Sequence, residues 1–317
     1  MKESKTAVVA ALAGNLALAI LKGISAAVTG SAAMLAETFH SIADTGNQGL
    51  LILGMRLARR PPDDLHPFGH GRNVYFWAFV VSMMLFTLGG AFSLWEAVRK
   101  VLHGAEHESS VWAYAVLAGG FVFEAASLTV AVRSLAHVRG DRSLREFWRE
   151  TRDPTLLTVL FEDTAALVAL VIAAGGLGLA QLTGQATWDA VASAVIGLIL
   201  LGVAVALAFQ NYSLLIGERA PERVERRIRD AVAADPAVAA VDDLKTMHLG
   251  PHEIIATLGV VLRDDGAARD VATTVARLHR VVERAPGHDV SAPFVVIEPV
   301  AARAPRPGQN ARAQKRS

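Results

Sequence analysis

The sequence contains no cysteine. Disulfides and thiolate metal sites are therefore excluded, and any metal site has to be built from His, Asp and Glu. Charge is scarce too: Asp, Glu, Lys and Arg make up 19% of the chain, against 52% hydrophobic residues. The two signs nearly cancel to a net charge of +1, so no basic field speaks for nucleic acid, and none is expected as a partner. There is no His-Glu-x-x-His stretch, no nucleophile set beside a base, and no filter-like run of a channel.

The little charge is unevenly placed. Long apolar runs fill residues 1–212, while Arg, Asp and Glu crowd the chain from 218 onward. This predicts a membrane domain over 1–212, a soluble cytoplasmic domain over 213–302, and a disordered tail over 303–317. A spanning helix needs about 20 mostly apolar residues. Six stretches qualify: 7–28, 33–57, 74–101, 112–138, 155–181 and 187–211. The first lacks a clear cleavage site and reads as a mature helix. Gly30-Ser31 and Leu182-Thr183-Gly184 are short turns, so the helices flanking each should be antiparallel neighbours.

Lys and Arg set the orientation. Lys2, Lys5, Arg56, Arg59, Arg60, Arg72 and the arginines between 133 and 152 fall on one side, against Arg99 and Lys100 on the other. Both termini are expected to be cytoplasmic, in the inner membrane of a bacterium. Beyond the spans, helices at Pro221–Ala234 and Ala267–Arg284 alternate with strands at Val238–Leu249, Glu253–Arg263 and Val290–Val300. The expected fold is thus an all-α membrane domain of six helices followed by a small α+β domain of order α-β-β-α-β.

Ionisable groups in hydrocarbon are costly and mark function by default. The second span concentrates them: Glu37, His40, Ser41, Asp44, Asn47 and Gln48 form one polar stripe in steps of three and four. Such a stripe must face other helices or water rather than lipid. His40 and Asp44 are four residues apart and can reach one ion. Imidazole nitrogen with carboxylate oxygen suits Zn²⁺, and less exclusively Fe²⁺, Co²⁺ or Mn²⁺. Two ligands from one helix cannot complete a tetrahedron. The fifth span offers Glu162 and Asp163, an adjacent acidic pair whose side chains diverge by about 100°. The competing reading, a His–Asp hydrogen bond that only joins helices, is weakened by this second acidic cluster. Lys22 and Glu124, in the first and fourth spans, read as an interhelical ion pair.

The loop from Arg59 to Arg72 holds Asp63, Asp64, His66 and His70. Asp63, His66 and His70 have the spacing of three ligands to a second metal. They serve equally well as hydrogen-bonding turn residues between Pro and Gly.

These stretches resemble a known family. Ala36-Glu-Thr-Phe-His-Ser-Ile-Ala-Asp44 with Asn47-Gln48 is similar to the second helix of the cation diffusion facilitators, and His66-Pro-Phe-Gly-His-Gly-Arg72 to their loop signature. Leu160-Phe-Glu-Asp-Thr-Ala-Ala166 resembles the fifth helix of the ZnT9-like zinc transporter branch. The resemblance implies a ferredoxin-like tail domain and a homodimeric antiporter that exports Zn²⁺ or a similar divalent cation from the cytoplasm in exchange for protons. It implies no enzyme activity and no cofactor beyond the transported ion, with membrane lipid as the other partner. Two site residues come from the second span and two from the fifth, here His40, Asp44, Asp163 and position 159. Position 159 is Val159, which cannot ligate, so Glu162, Glu37 or a water is left to fill the place. The resemblance also implies that Asp63, His66 and His70 bind a second metal. His248, His252, His279 and His288 of the tail read as surface or packing residues.

In the cycle this suggests, protons and metal compete for the same lone pairs of His40, Asp44 and Asp163. The helices rock, and protons from the far side help expel the ion. Two other classes stand beside it. One is a membrane metallohydrolase with a metal-activated water. The other is a non-transporting metal sensor or assembly subunit.

Overall fold

The computed structural model describes residues 2–29, 32–103, 110–140, 143, 147, 150–185, 187–263, 268–287 and 290–300. The side chains of Glu37 and His40, the Gly30-Ser31 turn, His288 and the tail predicted over 303–317 lie outside the described residues. The chain parts into two compact units. One holds Met1–Pro61 and His70–Ile216, the other Pro62–Gly69 and the chain from Gly217 onward.

The first unit is helical: α1 (Lys2–Thr29), α2 (Ala32–Leu57), α3 (Asn73–Met84), α4 (Phe92–His103), α5 (Ser110–Arg139), α6 (Pro154–Thr183) and α7 (Thr187–Ile216). A π-helical stretch, Leu85–Ala91, joins α3 to α4 into one continuous rod. Among the described residues, five stretches of this unit are long and apolar enough to cross a membrane: Lys5–Ile24, Asn73–Leu102, Tyr114–Arg139, Pro154–Thr183 and Thr187–Ile216; the expected span at 33–57 is not one of them. Their outward faces carry bare apolar side chains such as Leu16, Ile20, Val171, Leu198 and Phe209, which suits a lipid surround and not water.

Local sequence explains where α6 begins and ends. The Asp153 carboxylate accepts from the amides of Thr155 (3.0 Å) and Leu156 (3.4 Å), and Pro154 occupies the first turn, where its missing N–H costs nothing. At the other end Gly184 takes a left-handed conformation (φ +69°), so the chain turns there. The predicted turn residues Leu182 and Thr183 instead finish the helix, because Gly184 is the residue that can leave it.

α1 packs on α2 and α5, α5 on α6, α6 on α7, and α7 on α3 and α4. All six rods feed one core: Ala7, Val8 and Ala11 of α1, Leu51 and Met55 of α2, Tyr75 and Ala78 of α3, Ala131 of α5, Leu156 and Val159 of α6, and Leu214 of α7. Glycine lets two rods close up. A β-carbon on Gly197 would sit 2.9 Å from the backbone nitrogen of Leu94, nearer than any side chain tolerates.

The second unit follows the predicted order. It comprises α8 (Glu222–Ala233), β1 (Val238–Gly250), β2 (Glu253–Leu262), α9 (Ala268–Arg284) and β3 (Ser291–Pro299). β2 is central, antiparallel to β1 through the Gly250-Pro251 turn and parallel to β3 through the α9 crossover. Both helices owe their place to periodicity. Val224, Ile228 and Val232 of α8, with Thr274, Leu278 and Val282 of α9, bury one face at steps of four. The central strand buries Ile254, Ala256, Leu258 and Val260, every second residue.

Candidate metal centre

The polar stripe of α2 turns inward. Ser41, Asn47 and Gln48 are buried and Asp44 is half-buried. A helix of 26 residues can present such a stripe only to its neighbours if its other faces remain apolar. His40 lies one turn before Asp44 on the same helix.

Across from it, α6 brings Glu162 and Asp163, which are 9% and 2% exposed. Adjacent helical residues point in different directions, and the two carboxylates find different partners. Glu162 meets α2: the amide nitrogen of Asn47 donates to its Oε1 at 3.1 Å, and that of Gln48 to its Oε2 at 2.8 Å. Asp163 meets α5: the hydroxyl of Ser127 donates to its Oδ2 at 2.7 Å.

A fourth carboxylate belongs to this group. Glu124 stands one turn before Ser127 on α5, and Asp163, Asp44 and Lys22 all act on it electrostatically. Asp44 and Asp163 act on Glu162 in the same way. Lys22 and Glu124, read from the sequence as an ion pair apart from the site, are thus part of one charged neighbourhood with Asp44 and Asp163. Ser127 went unnoticed in the sequence. The signal for it was its position three residues after Glu124 in an otherwise apolar helix.

Val159 is wholly buried in the apolar core, one turn before Asp163. Its place is filled by packing against Leu156, Ala131 and their neighbours, so it leaves the acidic group with no donor from that turn.

The loop is tighter. Asp63, His66 and His70 each offer a ligand atom within 4.8 Å of the others, the one such group of three among the described residues. Asp63 sets its shape. Its Oδ1 accepts from the amides of Leu65 (3.1 Å) and His66 (2.7 Å) and lies 3.1 Å from the Nδ1 of His66. This is an Asx turn, the structure Asp favours where the chain reverses. Gly69 then takes φ +80°.

Two tail histidines are held within the sheet and its turn. His248 is buried, its Nδ1 3.0 Å from the carbonyl of Gly250. His252 is exposed, and its carbonyl accepts from the amide of Ser291 at 2.8 Å.

A family model described as the cation efflux transmembrane domain matches residues 8–216. The mitochondrial proton-coupled zinc antiporter SLC30A9 of Homo sapiens is 38% identical over 226 residues, covering 70% of this chain and 39% of that protein. Metal tolerance protein C4 of Arabidopsis thaliana is 31% identical over 252 residues, covering 79% of this chain and 55% of that protein. Magnetosome protein MamM of Magnetospirillum gryphiswaldense is 28% identical over 253 residues, 75% and 71% of the two chains. The chain therefore spans well under half the length of the human relative and about half that of the plant one.

Proposed function

The chain belongs to the cation efflux family, the cation diffusion facilitators, on its ZnT9-like branch, and from that premise we propose that it exports Zn²⁺ or a closely similar divalent cation from the cytoplasm in exchange for protons. The observation that carries this reading is the group of Asp44, Glu124, Glu162 and Asp163, two half-buried and two buried, set among helices whose other faces are apolar. Four carboxylates gathered within such helices are costly unless a cation or protons balance them. Exchange of one for the other is what a cation/proton antiporter does.

In this reading α2 is the sixth span, and both termini lie on the cytoplasmic side of a bacterial inner membrane. His40, Asp44 and Asp163 bind the cation, with Glu37 one turn before His40 as a further carboxylate. An ordinary imidazole titrates near 6.5 and ordinary carboxylates near about 4. Protons therefore contest the same lone pairs, and acid on the far side favours release. The printed names of the human and plant relatives, a proton-coupled zinc antiporter and a metal tolerance protein, support the ion and the coupling.

Asp63, His66 and His70 form a second metal site in the loop, which the convergence of their ligand atoms supports. The α-β-β-α-β unit is ferredoxin-like in its β2–α9–β3 crossover, and the transporter works as a homodimer, as the family resemblance implies.

The test is transport by the purified protein in liposomes under an imposed pH gradient, with a panel of divalent metals. Zn²⁺ should move against the proton gradient, and H40A and D163A should abolish that movement. Undiminished transport by either variant would show that the site lies elsewhere.

A further inference from the structure

Glu162 is held at both ends of its carboxylate. It accepts one amide N–H at each carboxylate oxygen, from Asn47 at 3.1 Å and Gln48 at 2.8 Å. Asn47 and Gln48 are 3% and 0% exposed, and all three side chains are more than nine-tenths buried. Both carboxylate oxygens act as acceptors here, so each amide turns its NH₂ group toward Glu162. Their oxygens, Asn47 Oδ1 and Gln48 Oε1, are then left buried with no hydrogen-bond partner among the described residues. An unpaired buried oxygen costs stability, which the contact at the opposite end of each amide has to offset.

Asn47 and Gln48 stand three and four residues after Asp44, so they rise from the same side of α2. Glu162 immediately precedes Asp163 on α6. A strap at this point therefore fixes both the height and the rotation of α2 against α6. Asp163 is turned away from α2's amides toward α5, where Ser127 holds one of its oxygens at 2.7 Å.

We propose that Glu162 is a positioning residue: the Asn47–Glu162–Gln48 strap locks α2 to α6 so that Asp44 and Asp163 are presented to one ion, and Glu162 itself stays outside the coordination sphere. This rests on the transport-site reading above. It divides the adjacent acidic pair into two jobs, one carboxylate to bind the cation and one to aim it.

The chemistry gives a sharp distinction between strap and ligand. In an E162Q variant the new side-chain amide would offer one acceptor and one NH₂. One of the α2 amides would turn over, accept from that NH₂ with its formerly unpaired oxygen, and both contacts would survive without the charge. A ligand has no such rescue.

The experiment is Zn²⁺ transport by full-length protein in liposomes, with half-saturating concentration and maximal rate read separately. E162A should raise the half-saturating concentration about tenfold to a hundredfold, the usual cost of losing a group that orients a metal ligand. E162Q should remain near the wild type. Q48E sets carboxylate against carboxylate and should resemble E162A, while Q48E/E162Q restores a donor–acceptor pair and should recover. E162Q as impaired as E162A, E162A with unchanged half-saturation, or a double variant no better than Q48E would each overturn the strap. H40A, run alongside, separates the two readings. Wild-type transport by H40A removes the transport site and the strap's purpose with it, whereas a dead H40A beside an unaffected E162A removes the strap alone.

Discussion

Asp235 and Arg277 show how much one pair of side chains can fix in the soluble unit. The guanidinium of Arg277 grips both oxygens of Asp235, at 2.6 and 2.9 Å, and ties the turn after α8 to α9. The side chain of Asp235 is 7% exposed and also accepts from the amide of Ala237 at 3.0 Å. The hydrogen bonds from Arg277 hold its carboxyl below the ordinary carboxylate range. A carboxyl lowered on folding stabilises the native state at pH above its unfolded value, about 3.9, and that contribution disappears as pH falls through the lower native value. Amide protection factors in α8, β1 and α9 of the full-length protein, taken relative to the intrinsic exchange rate at each pH, should accordingly fall in acid. D235N should be less protected at neutral pH and flatter across the acid range; identical profiles would deny the pair this role. The same scale explains what the sequence concealed at the membrane site. Glu162 and Asp163 look alike on the page. Their difference lies in which neighbour each one faces, which adjacent positions on a helix cannot reveal until the partner helices are placed.

Among the elements, five of the long rods were legible because each apolar run exceeds what a span needs, and caps mark the ends of α6; α2, with its polar stripe, is not among those five. The tail elements were legible because their periods are unambiguous. Steps of four in α8 and α9 and alternation in β2 leave few other ways to bury those side chains. The π-helical stretch Leu85–Ala91 was not legible, since its residues are as apolar as their surroundings and period alone does not separate α from π turns. Contact between rods depends on small residues at particular heights. G197A would push a methyl into the backbone of Leu94, and overpacking of this kind costs about 1–3 kcal/mol. Thermal unfolding in detergent should show a lower midpoint for G197A, with no such loss for G202A, where a β-carbon meets nothing within 4 Å.

For the molecule as a whole, two metal sites are proposed, one within the spans and one in the loop. Equilibrium dialysis of the full-length protein should show one equivalent of Zn²⁺ per chain lost in H66A/H70A, with the transport-site equivalent retained. An unchanged stoichiometry would reduce the Asp63 cluster to a turn. What the sequence by itself determined is the kind of protein this is. Segregated charge, apolar runs and a polar stripe of steps three and four identify a membrane protein with an inward-facing ionisable face, because hydrocarbon permits few arrangements of such a chain. What only the tertiary structure decided is which partner each acid meets. It brought Glu124 and Ser127 of α5 to Asp163, set the amides of α2 on Glu162, and sank Val159 into the core. The physical reason is that hydrogen-bond partners 36 or 115 residues apart along the chain leave no trace in local periodicity. They are fixed by how the helices rotate against one another, and packing between rods sets that rotation.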